Sequence, residues 1–111
     1  MRLKDRRDFA QIKSKGQRTA KGCLIANWLP LPPGAPSRLG LITSRKLGGA
    51  VVRTRARRLL RESFRRHQHD LARPIDLVLV ARASIVGKKF TDVEHDFLAV
   101  LRQNGLLRRG E

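Results

Sequence analysis

Few side chains in this sequence are of the kinds that make or break bonds, and their spacing rules on each chemistry in turn. His67 and His69 stand two apart beside Asp70. That begins a metal-ligand set, but no cysteine or close third ligand accompanies them, as a zinc site requires. Histidines at the end of a basic helix more often cap carbonyls, and that is the expectation here. The "GKK" at 87–89 contains Gly-Lys, yet Arg82 takes the place of the first Walker glycine and Lys89 that of the Ser/Thr, so it is no phosphate loop. Lys88 and Lys89 either extend a basic face or form a solvated turn. Cys23, the lone cysteine, sits in "CLIANWL" and is expected as a small buried apolar residue. A nuclease centre made of protein would need a carboxylate cluster or an acid–base pair. Between Asp8 and Glu62 there is no acid at all.

What the chain holds in abundance is arginine. "VVRTRARRLLRESFRR", residues 51–66, carries Arg53, Arg55, Arg57, Arg58, Arg61, Arg65 and Arg66 against the single acid Glu62. On a helix advancing about 100° per residue, Val52, Ala56, Leu59, Leu60, Ser63 and Phe64 share one arc. Arg57, Arg58, Arg61 and Arg65 fall opposite, Arg55 and Arg66 lie toward one flank, and Arg53 sits near the apolar boundary. A salt-bridged surface helix would want acids at i±4, and only Glu62 is available. A membrane-surface or calmodulin-type helix would want a broad exposed apolar face with bulky aromatics. A guanidinium row suits phosphate, because its planar fork stays charged at every relevant pH. Major-groove reading of DNA would mix in Asn, Gln or Ser, and here only Thr54 and an inward Ser63 are offered. No helix closely precedes this one, as a helix-turn-helix requires. Phosphate-rich, sequence-poor binding fits folded RNA better.

The surrounding elements must hold that helix. "DRRDFAQIKSKG" reads as a short opening helix, with Asp5 as cap, Phe9 and Ile12 on one face and Gly16 at its end. Residues 22–29 are a strand candidate and 38–44 a second, joined by the proline-rich loop 30–37. An antiparallel pair is the economical arrangement. Gly48 and Gly49 loosen the backbone before the arginine helix. "PIDLVLVARA" (74–83) is the clearest strand. In "TDVEHDFLAVLRQNG", Thr91 and Glu94 form a capping-box pattern, Val93, Phe97, Val100 and Leu101 repeat at helical spacing, and Asn104-Gly105 closes the helix. Together these predict one α+β domain over residues 1–111, with helices packed on a small sheet.

The composition agrees. The 111 residues carry a formal net charge of +16, and 41% are hydrophobic. The apolar residues come in periodic blocks, which argues against disorder. A charge so one-sided implies a polyanionic partner. The apolar runs are far short of the roughly 20 residues of a membrane span, and "MRLKDRRDF" lacks a signal-peptide core. A cytoplasmic protein with no membrane partner is the expectation.

The run "SRKLGGAVVRTRARRLLRESFRR" resembles the signature of the bacterial ribonuclease P protein family. Ser44, Arg45, Lys46, Gly48, Ala50, Val51, Arg53, Arg55, Arg57, Arg58, Arg61, Glu62, Phe64 and Arg65 stand where that signature puts them. "RLKDRRDFAQIKSKG" and "RLGLITSRK" are similar to the family's opening and to one of its strands, so the likeness covers nearly the whole chain. A ribosomal or other structural RNA-binding protein is the alternative, and it would match this ordered run only in charge. The resemblance implies helix, three strands, helix, strand, helix, a four-stranded mixed sheet and a left-handed βαβ crossover. The extra strand would fall near "GQRTAK".

The resemblance also implies a role. The family's proteins bind a catalytic RNA subunit and the single-stranded 5′ leader of precursor tRNA. They assist an endonucleolytic cleavage that the RNA performs with Mg²⁺, held mainly by RNA. No catalytic residue, no protein-held metal and no obligate protein partner are expected. By position, Arg45, Lys46, Arg53, Thr54, Arg55, Arg57, Arg58, Arg61 and Arg65 would contact the RNA subunit, while Phe9, Lys13 and Arg18 would serve the leader. Three positions depart from the family's habits. Thr54 replaces an asparagine, Lys13 stands where a second Phe is common, and Asn27 where a Tyr or Phe is.

Overall fold

A computed structural model describes residues 6–108. The elements run α1 (Arg6–Lys15), β1 (Gln17–Lys21), β2 (Leu24–Pro30), β3 (Arg38–Ile42), α2 (Ala50–His67), β4 (Ile75–Ala81) and α3 (Phe90–Gln103). This is the order implied by the resemblance, including β1, whose sequence QRTAK has no apolar alternation to announce it. The Asp5 cap lies outside the described residues.

The strands form one sheet in the order β1-β2-β4-β3. β1 pairs antiparallel with β2 and β2 antiparallel with β4, whereas β3 lies parallel to β4. The expected β2–β3 hairpin is therefore wrong, because β4 inserts between those two strands. The reason is burial. "IDLVLVA" is apolar on both faces and buried along almost its whole length, so it takes a central place covered from both sides. β3 then returns through α2 to a parallel neighbour, as a βαβ crossover requires.

The sheet separates two apolar layers. On one face Leu24, Ala26, Trp28, Leu39, Leu77 and Leu79 meet Ala56, Leu60 and Phe64 of α2 and Val93, Phe97, Val100 and Leu101 of α3. Each large side chain so buried contributes about 1.5–3 kcal/mol of transfer free energy. Of the inward arc expected of α2, Ala56, Leu60, Ser63 and Phe64 are buried, while Val52 and Leu59 are half-buried at its edges; Ser63 donates its hydroxyl to the Leu59 carbonyl at 3.0 Å. On the other face α1 lays Ile12 against Val78, with Phe9, Leu29 and Val80 around them. Gly16 lets the end of α1 approach β2, since a Cβ there would lie 2.4 Å from the Trp28 carbonyl oxygen.

Two local readings are corrected. α3 begins at Phe90, so Thr91 lies inside the helix. The residue that accepts the Lys89 backbone N–H is Asp92, at 3.2 Å. Glu94 instead meets His67 Nε2 at 2.9 Å, while His67 Nδ1 faces Asp70 at 3.3 Å. His67 therefore ties the end of α2 to α3 rather than capping carbonyls, because two carboxylates stand within its reach.

Candidate nucleic-acid interface

α2 is an 18-residue rod, about 27 Å long, anchored by its buried stripe along the sheet. Gly48 just before it has φ +143°, a conformation other residues rarely adopt. Arg45 and Lys46 occupy the short 3-10 turn ahead of that glycine and are exposed.

The outward side chains of α2 form three rows. Thr54, Arg58, Arg61 and Arg65 run along the crest, spaced as neighbours on one helix face. Arg53 and Arg57 are half-buried, with Arg57 Nη1 donating at 2.9 Å to Thr43 Oγ1, just past the end of β3. Arg55, Leu59, Glu62 and Arg66 face the start of α3. There Arg55 Nη2 donates to the Lys88 carbonyl at 2.6 Å. Arg58 and Arg61 have no protein partner among the described residues and stand exposed. Val51 is 84% exposed and continues the crest toward its N-terminal end.

The single acid of the stretch is engaged. Glu62 accepts from Arg65 Nε at 2.8 Å, from Arg65 Nη2, and from Arg66 Nε at 3.1 Å. Those guanidinium hydrogen bonds hold its carboxyl down at about 2, and Glu62 in turn raises the pKa of Arg65. Arg65 is therefore an oriented cation, still 63% exposed at its side chain. Thr54 borders a shallow groove with Ala50, Val51, Arg55 and Arg58. Its hydroxyl offers one donor there, where an asparagine amide would offer two.

On the opposite face of the sheet, α1 overhangs a cleft of about 420 Å³. Phe9, Lys13 and Arg18 all line it, together with Ile25, Asn27, Ile42, Val78 and Val80. Alternation along β1 and β2 aims Arg18 and its partner Asn27 at this side. The floor is apolar, and the cations come from separate elements. At the sheet's end on this face, Arg38 donates to both oxygens of buried Asp76, at 2.7 and 2.6 Å, and lies 3.7 Å from Asp8. That pair locks β3 to β4 and steadies α1. Strand sequence alone gave no sign of it, because an Arg at a strand start reads as solvent-facing.

Cys23 is buried, and burial with the neighbouring Asp96 pushes its thiol up to about 12. Among the described residues no three His, Cys, Asp or Glu side chains gather as metal ligands, and no helix is long and apolar enough to cross a membrane.

A mixed four-stranded sheet whose parallel pair is joined by an arginine-faced helix, with a cleft under an opening helix, defines a small basic α+β protein. The Ribonuclease P family model matches residues 1–105, and the chain belongs to that family. It is 32% identical to the ribonuclease P protein component of Geobacillus kaustophilus, over 98% of this chain and 90% of the relative. With that of Syntrophomonas wolfei it shares 34%, over 97% and 90%. The Staphylococcus aureus RNase P protein superimposes with a TM-score of 0.86 at 26% identity, covering 96% of this chain and 97% of that one. The RNase P protein from Thermotoga maritima gives 0.81 at 29%, covering 93% and 96%.

Proposed function

We propose that this chain is the protein subunit of ribonuclease P, and that it binds a catalytic RNA subunit through α2 and the 5′ leader of precursor tRNA in the α1 cleft. The observation that carries this reading is the family's ordered run from Ser44 to Arg65, mounted so that Ala56, Leu60 and Phe64 dock on the sheet and Arg58, Arg61 and Arg65 face outward. Guanidinium forks on a rigid helix suit phosphate oxygens of a folded RNA. The cleft suits an extended single strand. Phe9 offers a face to a base, and Lys13 and Arg18 offer charge to its backbone.

In this reading cleavage belongs to the RNA, and Mg²⁺ supplies charge stabilisation and an activated water there. The protein's own residues neutralise phosphates and hold the leader in line, which lowers the Mg²⁺ the assembly needs. Precursor tRNA is the substrate, and tRNA 5′ maturation the outcome. Binding of ribonuclease P RNA against an unrelated RNA of equal length tests the proposal. Clear preference for the former is expected, and equal affinity for both would overturn it.

A further inference from the structure

Phe90 opens α3 at the edge of the arginine face, half-buried and outside the main core cluster. Arg66 of α2 lies over one face of its ring, with Cζ 4.6 Å from the centroid. The rest of the ring borders a groove of about 410 Å³ shared with Arg58, Leu59, Arg61 and Glu62. Leu59 and Phe90 give this groove an apolar floor, and guanidinium groups give it a cationic rim. Glu62 holds Arg65 and Arg66 in fixed directions beside it. A surface meant only to neutralise phosphates needs no aromatic ring among its arginines. A ring already stacked with one guanidinium, beside two that have no partner among the described residues, matches a planar base attached to a phosphate.

We propose that this groove receives an unstacked base of the RNA whose phosphates lie along the crest of α2. The inference rests on the functional reading above and adds a base contact to it, on the sheet face away from the α1 cleft. Charge complementarity selects RNA as the occupant, since the exposed cations Arg58 and Arg61 flank the groove. Every base has a π-face, so the site tolerates any base while requiring one that is unpaired.

The test uses the full chain with ribonuclease P RNA, measuring affinity across a salt series. Phe90→Leu is expected to weaken binding roughly 5- to 160-fold at every salt concentration, because stacking is lost. Its salt slope stays that of the parent, because no charge is removed. Arg58→Ala instead lowers the slope by about 1. Thermal unfolding followed through Trp28 shows whether Phe90→Leu is folded. If it is not, Phe90→Trp keeps an aromatic ring and reports directly, through quenching of the introduced indole by RNA. Parent-like affinity of folded Phe90→Leu, or no quenching in Phe90→Trp, overturns the base site and leaves the functional reading standing. If the parent shows no preference for this RNA, the functional reading falls and the base site with it.

Discussion

The α1 cleft and the outer face of α2 lie on opposite sides of one sheet and are made of opposite materials. The cleft is a concave, largely apolar space, with Lys13 on α1 and Arg18 on β1 as its cations. The α2 face is convex and crowded with guanidinium groups on one helix, where, among the described residues, Glu62 is the acid that relieves self-repulsion. Shape can select an extended strand in the first, whereas charge density dominates the second. The two regions should therefore respond differently to salt, to aromatic substitutions and to loss of single charges.

Salt gives the widest separation. If α2 and its lead-in turn neutralise six to ten phosphates, affinity for ribonuclease P RNA falls by roughly three to five powers of ten between 50 and 200 mM salt. Leader affinity, with two cations in the cleft, should fall far less, and filter-binding titrations of both ligands measure the contrast. Equal slopes would erase it. Next in size, Phe9→Ala is expected to weaken leader binding by about 1–3 kcal/mol while leaving RNA-subunit binding unchanged. Arg61→Ala should do the reverse, lowering the RNA-subunit slope by about 1.

A third substitution acts on the frame that both regions share. Asp76→Ala removes a buried carboxylate that takes two hydrogen bonds from Arg38. It should cost about 1.5–3 kcal/mol of stability in urea unfolding. Cleft binding should suffer more than α2 binding, because Arg38 also reaches Asp8 of α1. The smallest effect concerns pH. The Glu62 carboxyl is depressed from 4.5 to about 2, so its ion pairs are fully formed above the ordinary carboxylate range and are lost only as pH falls toward 2. RNA affinity should show no step from Glu62 between pH 5 and 8, and Glu62→Gln should leave that profile flat.

Much of this was legible in the sequence, for reasons that can be traced to residues. The apolar arc of α2 follows from helical periodicity, and the structure buries Ala56, Leu60, Ser63 and Phe64 as that periodicity requires. Phe9, Lys13 and Arg18, the residues named for the leader, line one cleft; the family's pattern points to Phe9, whereas Lys13 departs from it. Residue patterns alone misled on strand pairing, because adjacency in sequence favours a β2–β3 hairpin while the two-sided apolarity of β4 decides the actual order; the mixed sheet with a parallel pair came from the resemblance and is what the structure has. β1 was visible only through the resemblance, since QRTAK has no apolar alternation. The capping pattern at Thr91 failed by a short shift in register, a common uncertainty at helix ends. Glu94 opposite His67, Asp76 opposite Arg38 and Arg66 over Phe90 come from distant segments, and no local spacing reveals them.

The most direct test of the account is reconstitution with ribonuclease P RNA on a precursor tRNA at low Mg²⁺. The protein should raise 5′ cleavage well above that of the RNA alone, and Arg57→Ala combined with Arg61→Ala should remove most of the gain. No gain in cleavage, with equal binding to unrelated RNAs, would contradict it.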